Sequence, residues 1–542
     1  MNNLDIAQSA KLLPINEIAK RAGLAEEEYE PLGRYKAKLT NEGISRLTTA
    51  DTGKLILVTA ISPTPAGEGK TTTSIGLADG LNTVGSTAVA AIREPSLGPV
   101  FGIKGGACGG GYSQILPMEE INLFFNGDFP AITTAHNLLS AMADSSIHFG
   151  NPHGIDTTKI WWPRTMDMVD RSLREIVVGL GDGNGPVRSG GFVITAASEI
   201  MAALGLARSL EDLVSRLKRI IVGLRRDGTP VTAEDVSAAG PMSVLLKDAL
   251  RPNLVQTMAG HPALVHGGPF GNIAHGCSSI LGTKCGLGMA DFVVTEAGFG
   301  SDLGGEKFLN ILSPQLGKLP DAIVLVATVR ALTHSGNGDL QHGLANLGAH
   351  IKHVMQYGPP VVVAINRFAH DTDRDVETVR AYAEVFGCKA VACDPWGGGG
   401  EGCTDLAELV RDETSKESTF ETIYQWSDSI PHKLEKLCQR VYGGIGVQFS
   451  KAAKRRLDWI EKHGDSELPV CVAKTQYSLS DDASLLGAPS GFDLNVRDLE
   501  VRAGAGFIVA VCGDVMLMPG MGKVPAAANI FLDENGVIQG LR

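Results

Sequence analysis

The residues best suited to chemistry in this chain form one stretch: Thr64-Pro65-Ala66-Gly67-Glu68-Gly69-Lys70-Thr71-Thr72-Thr73. Their types and order suit phosphate. The Lys70 ammonium can neutralise phosphoryl oxygens, the Thr71 hydroxyl stands where a P-loop places its Mg²⁺-side ligand, and the glycines let backbone N–H groups approach an anion. The usual P-loop pattern has glycine where Thr64 stands. A bare strand-to-helix turn would also favour small residues, for packing alone. The flanks favour phosphate. Leu55 to Ile61 is an apolar run that reads as a buried strand, and Ser74 to Val84 reads as a helix. A loop between such a strand and a helix N-terminus is a ready anion cradle.

A second apolar run, Thr87 to Ile92, ends at Arg93-Glu94. In open α/β sheets, ligands sit beyond the carboxyl ends of the strands. If the two strands are parallel neighbours, Arg93 and Glu94 leave on the same edge as the phosphate loop. A surface ion pair is the plainer alternative for Arg93. Further apolar runs end in polar or glycine-rich loops: Asp291–Glu296 before Ala297-Gly298-Phe299-Gly300, Asp321–Thr328 before Arg330, Pro360–Phe368, and Cys388–Cys393 before Asp394-Pro395-Trp396-Gly397. Asn366-Arg367 resembles the start of a guanine-reading motif, but Ala369 stands at its acidic position, which weakens GTP as the nucleotide. Trp396, set among glycines, either stacks on a flat ligand ring or packs as a hinge on its own domain. The stretch from Phe101 to Tyr112 is half glycine yet carries Phe, Ile, Lys and Tyr, so an ordered binding loop is expected rather than a linker.

Strands alternating with helices over the first three quarters of the chain predict an α/β fold, a P-loop NTPase-like, mostly parallel sheet covered by helices. Residues 1–50 read as a helical lead-in, and 165–260 as long helices around one strand, Phe192–Ala196. In that region helices are expected at Glu199–Leu206 and Leu210–Leu224. Ala131 to Met142 reads as a strand end followed by an apolar helix, and His136 within it reads as a core residue. The spacing of His266, His275 and Cys277 fits no structural zinc pattern. Smaller α/β and β-rich C-terminal domains complete the expectation.

At 542 residues the chain predicts two to four domains. Its net charge of −12 argues against a general partner role for nucleic acid or an anionic membrane, without excluding an anionic substrate held by a few local cations. No apolar stretch is long enough to span a membrane, and the opening residues lack the basic-then-apolar pattern of a secretory leader. Nine scattered cysteines without a Cys-x-x-Cys pair read as reduced thiols, so a cytoplasmic location is expected.

Together these residues predict an Mg·ATP-dependent enzyme with a second, aromatic ligand. An acyl-phosphate-forming ligase would use Lys70 and Arg93 to neutralise the phosphate in transfer. A partitioning or metallochaperone ATPase would share the loop but has no need of a remote glycine-framed tryptophan.

The chain from about residue 30 onward closely resembles the formate–tetrahydrofolate ligase family. The blocks that carry the resemblance are the Thr64–Thr73 loop, Arg93–Pro99, Gly105–Tyr112, Pro252–Thr257, Thr295–Gly300 and Lys474–Ser478. The resemblance implies that ATP, formate and tetrahydrofolate give ADP, phosphate and 10-formyltetrahydrofolate through formyl phosphate. It implies that Thr64, Pro65, Ala66, Gly67, Glu68, Gly69, Lys70 and Thr71 bind ATP, with Thr71 on the Mg²⁺ side. Arg93 matches the arginine that holds formyl phosphate, Glu94 follows it toward the folate site, and Phe368 and Trp396 match the aromatic pair that sandwiches the pterin. A homotetramer activated by K⁺ or NH₄⁺ is also implied. The expected division is 1–359 for the nucleotide-binding P-loop domain, 360–460 for an α/β domain carrying the folate-stacking loop, and 461–542 for the β-rich domain. The chain departs from the family pattern at Pro130, where histidine is usual, at Val169, where asparagine is usual, at Ser278, and at Met521-Gly522.

Overall fold

The computed structural model describes residues 2–50, 52–102, 108–464 and 466–541. The part of the glycine-rich loop at 103–107 lies outside them. The spine of the described chain is a 12-stranded sheet. Ten of its strands are β1 (Tyr29–Pro31), β2 (Ala37–Leu39), β3 (Lys54–Ala60), β4 (Ala88–Ile92), β5 (Asn253–Thr257), β6 (Pro262–Val265), β7 (Phe292–Glu296), β8 (Ala322–Ala327), β9 (Val361–Asn366) and β10 (Lys389–Cys393). They lie in the order β1-β2-β5-β6-β4-β7-β3-β8-β9-β10. Every neighbouring pair from β6 to β10 is parallel, whereas β1, β2 and β5 make an antiparallel margin. The sheet is therefore mixed, with a parallel centre.

The apolar runs of the sequence become these strands because both faces of the parallel centre are covered. Alternate residues of β3 feed opposite cores: Leu55 and Leu57 one face, Ile56, Val58 and Ala60 the other. Helix α1 (Lys70–Thr83) covers the second face with Ile75, Leu77, Ala78 and Leu81. On the first face the same core extends from Leu55 and Leu325 into a C-terminal three-stranded sheet through Val470, Val472, Ile508 and Cys512. Among the described residues, no helix is long and apolar enough to cross a membrane.

Two expectations need correction. The first fifty residues are not only helical, since β1 and β2 extend the sheet margin. The stretch 165–260 is not a helical block. The helix from Leu210 stops at Arg219, and Ile221–Arg225 is a strand between Ile155–Ile160 and Pro230–Thr232. β-Branched Ile220, Ile221 and Val222 lose side-chain freedom in a helix and favour the pleated partner surface. Strands β3 and β4 are parallel but not neighbours, because β7 lies between them; their carboxyl ends still share one edge.

Helix α2 spans Asp128–His148, so Pro130 sits in its first turn, where no intrahelical N–H is lost. Val169 is buried in the core. His136 is a core residue, stacked on Trp162 at 4.1 Å and bonded to Ser198 Oγ at 2.8 Å.

Candidate active site

The Thr64–Gly69 loop follows β3 and closes on α1. Gly69 precedes the helix with φ +67°, a left-handed conformation that suits glycine, and a Cβ there would lie 2.6 Å from Asn366 Nδ2. Glu68 is buried, while Pro65, Ala66 and Gly67 are exposed. Its Oε1 accepts the Thr64 N–H at 2.8 Å and the Thr64 hydroxyl at 2.6 Å, and its Oε2 accepts the Thr328 hydroxyl at 2.5 Å. Thr64 stands in place of glycine because its hydroxyl locks the loop to Glu68. The carboxylate is thereby turned inward. Thr64 and Glu68 shape the loop; the exposed Pro65–Gly67 backbone forms its outer surface.

Lys70 and Thr71 open α1. Lys70 Nζ donates to Phe299 O at 3.1 Å, and the Thr71 hydroxyl donates to Glu296 Oε2 at 2.8 Å. Glu296 ends β7, the strand beside β3, and is buried. Its other oxygen lies 3.8 Å from Arg93 Nη2. One carboxylate therefore joins the helix start that follows β3 to the strand-end arginine that follows β4. Arg93 also donates from Nη1 to Pro269 O at 3.2 Å, and among the described residues its buried Nε has no partner. Phe299 holds φ +61°, a strained value for a residue with a side chain, in the turn that supplies the Lys70 acceptor. Hydroxyl and carboxylate oxygens 2.8 Å apart at a helix start form a donor set suited to Mg²⁺ held partly by nucleotide phosphates.

Glu94 turns the other way. Its side chain is buried beside Asp128, which pairs with Lys38 at 2.8 Å. Burial, followed by the Asp128 charge, pushes the Glu94 carboxyl well above the ordinary range.

Phe368 and Trp396 follow β9 and β10, adjacent parallel strands whose ends pair Asn366 with Cys393. Both rings thus leave the same edge as the phosphate loop. Trp396 is 46% exposed, and its indole N–H donates to Asn3 Oδ1 at 3.1 Å. The glycine-rich loop packs beneath it: Tyr112 N–H donates to Trp396 O at 2.9 Å, and a Cβ on Gly111 would fall 2.0 Å from that oxygen. Phe368 is half-buried, with the Arg330 guanidinium 4.6 Å from its ring centre.

Sequence reading missed Glu296 as the residue that joins the two halves. The signal was present, since Glu296 ends an apolar strand run as Arg93 does. It also missed a buried chain behind the loop. Ser62 N–H donates to His350 Nε2 at 2.9 Å, and Ser301 Oγ lies 2.7 Å from His350 Nδ1 and 3.0 Å from His353 Nδ1. A nitrogen that accepts from a backbone amide carries no proton, so His350 is neutral. Burial pushes it down to about 4, against the opposing pull of Asp302. A histidine pKa lowered by folding contributes stability that is full above about pH 6.5 and lost as pH falls toward 4. His350→Gln, whose amide oxygen can accept from Ser62, lacks this acid sensitivity. Its stability relative to the unsubstituted protein is expected to rise by about 1.4 kcal/mol for each pH unit below ~6.5. Urea titrations at pH 7.5 and 5 test this; a constant gap would mean that His350 does not titrate differently in the folded and unfolded states.

Comparison with known proteins gives one answer over the full length. The sequence pattern of the family described as Formate--tetrahydrofolate ligase matches residues 1–542. Proteins named formate--tetrahydrofolate ligase from Bartonella tribocorum and Paracoccus denitrificans are 52% and 51% identical, covering 99% and 100% of this chain and the same shares of their own lengths. The one from Pseudothermotoga lettingae is 52% identical with both chains covered completely. With identity at this level and no block of the chain unmatched, the protein belongs to the formate–tetrahydrofolate ligase family.

Proposed function

We propose that the protein joins formate to tetrahydrofolate at the expense of ATP, giving 10-formyltetrahydrofolate, ADP and phosphate through formyl phosphate. The observation that carries the reading is the Glu296 carboxylate, which holds Thr71 at 2.8 Å and Arg93 at 3.8 Å on the edge where Lys70 begins its helix. A formate oxygen attacks the γ-phosphorus as the bond to the ADP oxygen breaks. The folate nitrogen then attacks the formyl carbon, phosphate departs, and the nitrogen gives up its proton. Phosphate is a far better leaving group than hydroxide, so one difficult acylation becomes two easier steps.

Each residue has a defined task in this scheme. The exposed backbone of Pro65, Ala66 and Gly67, with the N-terminus of α1, receives the nucleotide phosphates. Lys70 and Arg93 neutralise charge on the phosphoryl group in transfer. Bound Mg²⁺ would offset phosphate charge, with Thr71 as its protein ligand and Glu296 beside it. Glu94, buried beside Asp128, completes the proposed catalytic set with Lys70 and Arg93. Phe368 and Trp396 sandwich the pterin. Activation by K⁺ or NH₄⁺, a homotetrameric assembly and a cytoplasmic location belong to the same proposal, as does the three-part division at residues 359 and 460.

The direct test is ADP release by the purified protein with Mg²⁺ and K⁺ present. Release that needs both formate and tetrahydrofolate supports the reading, and release indifferent to both sinks it. Trp396→Ala is expected to raise the tetrahydrofolate KM roughly tenfold, the value of one aromatic stack, while leaving the ATP KM within about twofold. Initial-rate kinetics would remove Trp396 from the site if the folate KM stayed unchanged.

A further inference from the structure

We propose that Arg330 couples the nucleotide site to the folate site, so that each ligand binds more tightly when the other is present. The inference rests on the assignment of Phe368 to the pterin. Arg330 lies in the first turn of a short helix, Val329–Ser335, that follows β8. Its guanidinium donates from Nη2 to Gly67 O in the phosphate loop and lies 3.6 Å from Glu68 Oε2. The same planar group stacks 4.6 Å from the ring centre of Phe368. One side chain thus touches both the exposed turn of the phosphate loop and the ring assigned to the pterin.

Two further contacts tie the same parts together. The Thr328 hydroxyl that donates to Glu68 also caps the Arg330 helix, accepting from Ala331 N–H at 3.0 Å. Asn366, two residues before Phe368, donates to Glu68 O at 3.0 Å. The phosphate loop therefore meets the Phe368 strand end both through the backbone and through the Arg330 stack.

The physical consequence is a shared ordering cost. A long, rotamer-rich arginine that is 43% exposed in its side chain is not fixed by packing alone. Nucleotide phosphates that fix the Gly67 turn fix the acceptor of Arg330, and with it one face of Phe368. A pterin arriving on the other face then finds its platform ordered and pays less to bind. Cation–π attraction between the guanidinium and the ring adds to the effect. Linkage makes the effect reciprocal, so bound folate must strengthen nucleotide binding by the same factor.

Calorimetric titration of the full-length protein tests this without turnover. Tetrahydrofolate is titrated with and without a saturating Mg²⁺ complex of β,γ-imido-ATP, formate being absent. The unsubstituted protein is expected to show a folate Kd at least roughly fivefold lower with nucleotide, and Arg330→Ala a ratio below about twofold. Arg330→Lys keeps the charge but not the planar stack, and is expected to retain only part of the ratio. It carries the test if the alanine variant does not fold. Equal ratios in the unsubstituted protein and the variants would overturn the proposal, as would a ratio of one in the unsubstituted protein. Absence of any tetrahydrofolate binding to the unsubstituted protein is a different failure; it defeats the ligase reading itself.

Discussion

Lys70→Met is expected to lower formate- and folate-dependent ADP release by roughly 10³-fold, about 4 kcal/mol of lost transition-state stabilisation. Methionine keeps most of the apolar stem of lysine and removes the charge together with the ammonium donors. Lys70 begins α1 at the carboxyl edge of β3, and its Nζ lies at the Phe299 carbonyl, 3.1 Å away, on the side where Glu296 joins Thr71 and Arg93. In the proposed reaction a cation there meets charge that grows on the transferring phosphoryl group, where preorganised charge lowers the barrier. The residue is only partly buried and lies outside the apolar cores, so the melting temperature should move little. Steady-state rates and thermal melts on one preparation separate the two effects. Near-normal turnover would show that the loop does not handle the transferred phosphate.

The second large effect concerns stability. Lys474 lies just past the first strand of the C-terminal sheet, Val470–Ala473, and Asp302 lies just past β7; the two pair at 2.6 Å with almost no exposure. Lys474 Nζ also donates to Thr475 O at 3.2 Å and Ser478 O at 2.6 Å. Burial, the largest single influence, would raise the Asp302 carboxyl, but the Lys474 charge, the neighbouring His350 and His353 and the Lys474 hydrogen bond together hold the group below its ordinary range. Lys474→Met strands that carboxylate and two carbonyls in the interior, at an expected cost of about 3–5 kcal/mol. A stranded buried charge is the main penalty, so Asp302→Asn combined with Lys474→Met should recover much of the loss. Denaturant titrations of the two single variants and the pair give the coupling directly. Additive losses would show that the two groups act independently.

Much of the fold can be read from the chain because its strands are fully buried. Runs such as Leu55–Ile61 and Val361–Asn366 are apolar without alternation, as a sheet covered on both faces requires, and their polar terminators mark the carboxyl edge. The stretch 165–260 conceals its strands because most of them are short and pair in small two- and three-stranded sheets, while Asn253–Thr257 joins the central sheet. A three-residue strand has too little periodicity to compete with the helical patterns around it. Leu55 of β3 and Ile508 of the C-terminal sheet share one core.

The same contrast holds at the site. Local order is enough to specify the Thr64–Thr73 turn: residue types, glycine placement, and a strand and helix on either side are all contiguous. That is enough to propose Lys70 and Thr71 for phosphate, and strand-end position adds Arg93 to the proposal. Tertiary structure decided what long-range pairing alone can decide. It inserted β7 between β3 and β4 and so delivered Glu296 to both Thr71 and Arg93. It turned Glu94 inward to Asp128 and Glu68 inward to Thr328. It also set Arg330 between Gly67 and Phe368. The physical reason is range: backbone conformation is fixed by a few neighbouring residues, whereas the direction and partner of a charged side chain depend on which distant strand the sheet places beside it.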